Sequence, residues 1–87
     1  MKVRNMTSNR SGKEVANQFI ITDKGKEVFQ SYRTIIAIIE NGKITLDRDK
    51  WNCSVTTGKY RNLFLGEGKK ETETKIKTGE YKLKNLN

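Results

Sequence analysis

Residues 34–47 (TIIAIIENGKITLD) constrain the fold more than any other stretch. The Asn41-Gly42 pair is a strong signal for a two-residue type I′ turn, whose central residues both need φ > 0. Folding the chain about that turn sets Glu40 opposite Lys43, Ile39 opposite Ile44, Ile38 opposite Thr45 and Ala37 opposite Leu46. The first pair joins opposite charges and the second two β-branched apolar side chains, so local chemistry agrees with the register. Ile35, Ala37, Ile39, Ile44 and Leu46 then share one face, with Ile36 and Ile38 beside Thr45 and Asp47 on the other. A strand apolar on both faces is usually covered on both, which predicts residues 35–39 as the centre of a sheet. The spacing also fits a helix, but four isoleucines within residues 34–39 favour a strand.

Length and composition narrow the rest. Eighty-seven residues make one small domain over 1–87, of the kind that buries only about 60–65% of its unfolded surface. Deep enclosed cavities are not expected in it. The formal charge is +8, from 18 basic and 10 acidic residues, and it divides evenly between the two halves of the chain. Such a surface attracts polyanions, nucleic acid above all, or an acidic protein. It also simply keeps a small protein in solution. No run approaches the ~18 apolar residues of a membrane helix and no hydrophobic signal region opens the chain, so no membrane partner is expected. The single cysteine, Cys53, excludes an internal disulfide and fits a reducing, cytoplasmic setting. Histidine is missing altogether, and with it the commonest general base and metal ligand.

Taken in order, residues 1–12 carry Lys2, Arg4 and Arg10 without an acid and read as a basic N-terminal arm, with packing through Val3 and Met6 as the alternative. Thr7, Ser8 and Asn9, and Ser11 with Gly12, supply turn chemistry there. Residues 15–22 form a strand, 23–25 a turn, and 26–32 the returning strand. Asn17, Gln18 and Gln30 interrupt these apolar strands and need hydrogen-bond partners, a surface position, or base edges to read. Residues 57–65 are expected as a helix with Thr56 as N-cap, Val55 and Tyr60 as a hydrophobic staple, and Gly66 at the stop. Tyr60, Leu63 and Phe64 give it an apolar face. Residues 67–78 suit either a strand or a helix. The order Glu71 before Lys75 and Glu73 before Lys77, with Gly79 behind, selects a short surface helix. Residues 80–86 add a last strand. The predicted class is α+β: one antiparallel sheet of about five strands with one or two short helices, and Ile36, Ile38, Ile39, Phe19 and Phe64 among its most buried residues.

No catalytic constellation is present, and no enzyme, cofactor or metal site is expected. Cys53 has no histidine to activate it and reads as a small buried apolar side chain. Asp47 and Asp49 could share a divalent cation, but Arg48 and Lys50 interleave with them and no third ligand follows. Gly58-Lys59 lacks the remaining residues of a phosphate-binding loop. The expected site is the helix start TTGKYR at residues 56–61, where free N–H groups and the helix dipole favour an anion. Arg48, Lys50, Trp51, Thr57, Gly58, Lys59, Tyr60 and Arg61 are the expected nucleic-acid-binding residues. Lys59 and Arg61 supply charge, and Trp51 or Tyr60 a stacking face. In the opposing reading both aromatics belong to the core.

The order ANQF (16–19), FQSY (29–32), Leu46, Trp51, TTGKYRNLFLG (56–66) and KIKTGEYKLKNLN (75–87) also resembles small uncharacterised proteins of bacteriophages and mobile elements of Gram-positive and gut bacteria. That resemblance implies a phage or mobile-element origin, the cytoplasm of a host bacterial cell, and a sheet with short helices. It implies no activity and carries over no binding residues. Two functions stay open: binding nucleic acid without strong sequence preference, or docking as an inhibitor on a host protein such as a defence nuclease.

Overall fold

Asn41 and Gly42 both adopt left-handed backbone, with φ of 53° and 73°, as a type I′ turn demands. Lys24 and Gly25 do the same at 48° and 80°, so a second two-residue turn joins the preceding strands. These turns organise the computed structural model, which describes residues 1–8 and 10–87. Asn9, one of the residues of the predicted turn chemistry, lies outside the described residues. The elements are β1 (Lys2–Thr7), β2 (Glu14–Asp23), β3 (Lys26–Ser31), β4 (Thr34–Glu40), β5 (Lys43–Asp47), α1 (Val55–Leu65), α2 (Lys69–Lys77) and β6 (Lys82–Lys84). All six strands stand side by side in chain order, in one domain of class α+β. The first four pairings are antiparallel. β6 runs parallel to β5, because the two helices carry the chain back towards the start of β5 before it pairs.

The β4–β5 register is the predicted one, from Glu40 opposite Lys43 to Ala37 opposite Leu46. The β3–β4 register holds a bulge that the alternation does not announce. Phe29 faces Ala37 while Gln30 faces Ile35, leaving Ile36 as the extra residue. An extra residue breaks the two-residue period, and this one exchanges the sides of Ile35 and Ile36. Ile36 joins Ala37 in the core at 0% exposure, and Ile35 is half-buried with Gln30 on the opposite face. Thus Ile35 does not share the face of Leu46, and Ile36 does not share that of Thr45.

The core lies on one side of the sheet. Ile20, Phe29, Ala37 and Leu46 follow one another across β2 to β5 in register, and all are buried. Tyr60 and Phe64 of α1 and Tyr81 after α2 cover that row, with the Phe64 ring centroid 5.7 Å from that of Phe29. No helix of the described residues covers the other side of the sheet. Phe19, Ile21 and Ile38 lie there half-buried around Val28, which is buried but outside the main cluster. The expectation that residues 35–39 are covered on both faces therefore fails. Of the five residues expected to be most buried, Ile36 is, whereas Phe19 and Ile38 face the helix-free side. Ile39 and Phe64 are only half-buried.

The basic arm is β1, an edge strand. Met6 is buried beneath it, and Val3 is exposed. Residues 69–77 are helical, as the charge order selects, and Glu71 reaches Lys75 at 3.6 Å. Glu73, however, pairs with Lys69 rather than Lys77.

Candidate functional site

Helix α1 begins two residues before the predicted start. Ser54, not Thr56, is its N-cap: the Ser54 Oγ accepts the Thr57 N–H at 3.1 Å. Val55 is exposed, so it forms no staple with Tyr60. The Gly58 N–H donates to the Ser54 carbonyl, and the Val55 and Thr56 N–H groups have no acceptor among the described residues. At the far end Gly66 takes the left-handed conformation, and its N–H closes on the Asn62 carbonyl as predicted.

The expected binding residues separate into three groups. Arg48 and Lys50 are exposed on the turn after β5. That turn is fastened by Asp47, which is 2% exposed and accepts the N–H groups of Asp49, Lys50 and Leu86 and the Asn87 side-chain amide. Burial would raise the Asp47 carboxyl, but these hydrogen bonds outweigh it and hold it below its ordinary value. With its lone pairs so engaged, Asp47 does not join Asp49 as a ligand pair. No group of three His, Cys, Asp or Glu is placed to hold a metal ion among the described residues.

Thr57 and Tyr60 point inward. Thr57 links Ser31 and Ser54 through hydroxyl contacts of 3.2 and 3.0 Å beneath the helix start. Cys53, expected buried, is exposed, and its thiol lies 3.8 Å from the Thr57 hydroxyl. Tyr60 belongs to the core and has no ring face to offer a base.

The third group is Trp51, Gly58, Lys59 and Arg61. Arg61 is 1% exposed, which removes it from the role of a free surface phosphate contact. Its guanidinium lies 5.1 Å from the Trp51 ring centroid, so one face of that half-buried ring is already taken. Nη1 donates to the Trp51 carbonyl at 2.7 Å and to Asn52 Oδ1 at 3.2 Å, and Nη2 to Asn62 Oδ1 at 2.9 Å. Nε is buried with no partner, and no carboxylate forms an ion pair with the group among the described residues. Burial lowers the Arg61 pKa, against the distant pull of Glu67 and Glu73, and the group stays cationic at neutral pH.

Arg61 forms part of a groove of about 730 Å³ along the outer side of α1. Ser54, Val55 and Gly58 line its helix-start end, Asn52 and Asn62 its sides, and Lys59 and Lys69 its basic rim. None of its lining residues is acidic. Lys59, Gly58 and Arg61 were legible in the sequence. Lys69 and the two asparagines were not, since only the short connection through Gly66 brings Lys69 to the groove. A run of Lys69-Lys70 after a helix stop is the one signal that could have drawn attention there.

No helix of the described residues is long and apolar enough to cross a membrane. No curated protein and no solved structure matches the chain. One family model does match, over residues 1–80, and the chain accordingly belongs to DUF8033, a family of unknown function.

Proposed function

We propose that the chain binds nucleic acid through its phosphates, without strong sequence preference, along the groove beside α1. The observation that carries this is the pairing of an acid-free lining with a buried guanidinium that has no carboxylate of its own. Buried charges in proteins are ordinarily paired, and a guanidinium buried without a carboxylate in contact is suited to an anion from outside; at the rim, Lys69 shares its charge with Glu73 at 3.9 Å. Lys59 and Lys69 would contact phosphates directly, Arg48 and Lys50 would extend the path from the neighbouring turn, and Arg61 would act through its field. The chain would thereby serve phage or mobile-element propagation as an accessory protein rather than as an enzyme.

Fluorescence anisotropy with labelled single- and double-stranded DNA and RNA tests the proposal. If about four phosphates are neutralised, log affinity falls against log salt with a slope of roughly −3 to −4. Undetectable binding to all four nucleic acids at low salt would end it.

A second function, docking on a host protein as an inhibitor, is favoured by a different observation. The helix-free side of the sheet presents Phe19, Ile21 and Ile38 half-exposed around Val28. One stoichiometric protein captured from nuclease-treated host lysate, and lost on Ile38→Glu, would select it.

A further inference from the structure

The helix-start end of the groove differs from its rim in a way that the overall charge does not require. Two kinds of positive group meet there, and a third stands at the rim. The first is the Arg61 guanidinium, 1% exposed, with Nε unpartnered and only neutral acceptors on its other nitrogens. The second is the N-terminus of an 11-residue helix, whose Val55 and Thr56 N–H groups lack acceptors among the described residues. The third, at the rim, is Lys59, whose ammonium lies 5.4 Å from the Tyr60 ring centroid, with Lys69 also in the lining. Gly58 controls how closely anything can approach the first of these. A Cβ built there would lie 3.7 and 3.8 Å from Arg61 Nη2 and Nη1 and 3.7 Å from Asn52 Oδ1. The missing methyl group thus leaves only a thin floor above the guanidinium. A charge held in that desolvated position is weakly screened by salt.

We propose that this end of the groove is a seat for one phosphate dianion, and that it takes the terminal phosphate of a nucleic-acid strand. The inference rests on the reading of the groove as a nucleic-acid surface and adds which part of the strand it captures. An internal phosphodiester carries a single charge and is flanked on both sides by sugars. A terminal phosphate carries about −1.5 to −2 at neutral pH and has three free oxygens, so it can enter a concave end and meet several donors at once. The rest of the strand then leaves along the basic rim past Lys59 and Lys69. Arg61 contributes charge from below the floor, while the helix N–H groups and Lys59 supply the direct hydrogen bonds.

The experiment compares a 12-nucleotide single strand bearing a 5′-phosphate with the same strand bearing a 5′-hydroxyl, with inorganic phosphate and a 3′-phosphorylated strand as further probes. The 5′-phosphate should tighten binding by about tenfold, equivalent to ~1.4 kcal/mol. Inorganic phosphate should compete and shift the backbone amide resonances of Thr56 and Gly58. Gly58→Ala provides the decisive variant. Alanine fits at van der Waals distance and favours a helix interior over glycine, so thermal unfolding should occur at or above the wild-type temperature. The added methyl should nonetheless bring the ratio between the two strands to about one. Equal binding of the two strands by the unaltered protein overturns the seat and leaves the wider groove in place. A gain from the 3′-phosphate equal to that from the 5′-phosphate supports a seat that reads the dianion alone, and binding of neither strand overturns seat and groove together.

Discussion

Asp47 and Arg61 are both charged side chains withdrawn from water, at 2% and 1% exposure, and they are buried on different terms. Asp47 sits at the end of a central strand and receives three backbone N–H groups and one side-chain amide, so the protein itself solvates the carboxylate. Arg61 receives three neutral acceptors, keeps an unsatisfied Nε, and lies beside an open groove. A second acid, Glu67, follows the pattern of Asp47: burial would raise it, but bonds from Thr72, Tyr81 and Lys75 hold it below its ordinary value. In return, burial and the Glu67 carboxylate push the Tyr81 hydroxyl up to about 12. The chain therefore has the means to complete a buried ionic group. Where it leaves one incomplete, the remaining coordination is open to something else.

The sharpest way to break this contrast is Asp47→Ala. Removing the carboxylate strands four part-buried N–H donors at up to about 1 kcal/mol each, so a loss of roughly 2–4 kcal/mol is expected in urea denaturation. A loss below 1 kcal/mol, on the order of an ordinary surface change, would mean that water replaces the carboxylate and that Asp47 is no hub. Arg61→Met should cost less, about 1–2 kcal/mol, because it strands only neutral acceptors and leaves no opposite charge behind. Equal costs for the two substitutions would erase the distinction.

Acid titration sharpens the same comparison from the other side. The folded pKa of Asp47 is depressed below 3.8, so its contribution is fully present above that value and is lost as pH falls through the folded pKa. Glu67 acts in the same sense below 4.5. The urea midpoint of the wild type should thus hold steady from pH 7 to about 5 and decline below about 4, and the decline should be shallower in Asp47→Asn. Arg61, cationic throughout, contributes nothing to that curve. The smallest effect on folding belongs to the doubly substituted Lys59→Ala, Lys69→Ala protein. Its stability should stay within about 0.5 kcal/mol of wild type. The slope of log affinity for nucleic acid against log salt should nevertheless flatten by about one to two units.

Local chemistry made the two-residue turn at Asn41-Gly42 and the helix stop at Gly66 readable, since each needs a backbone conformation that few residues tolerate. The β4–β5 register and the helix over Lys69–Lys77 followed from charge and branching alone. The bulge at Ile36 did not, because a five-residue apolar run has no polar position to mark a change of side. The burial of Arg61 was equally hidden. A guanidinium three residues after Gly58 looks like a surface cation unless Trp51, Asn52 and Asn62 are known to close around it, and those contacts arise only from the tertiary path of the 48–54 turn. Tyr60, by contrast, declared both its options in the sequence, and the core took it.

The parallel pairing of β6 with β5 has a consequence for how the chain reaches this state. Strands β1 to β5 join through short connections, so each pairing closes a small loop and costs little chain entropy. β6 is three residues long and meets β5 only after the whole of α1 and α2 has been laid down between them. Its closure is the high-contact-order step, and it is clamped by the Arg48 N–H on the Lys84 carbonyl and the Leu86 N–H on Asp47. β6 is thus the latch that ties the end of the helical return to the meander, beside the core the two share. Amide protons of β6 should exchange with solvent through a partial opening that leaves β3 and β4 protected, and the turn carrying Arg48 and Lys50 loosens with it.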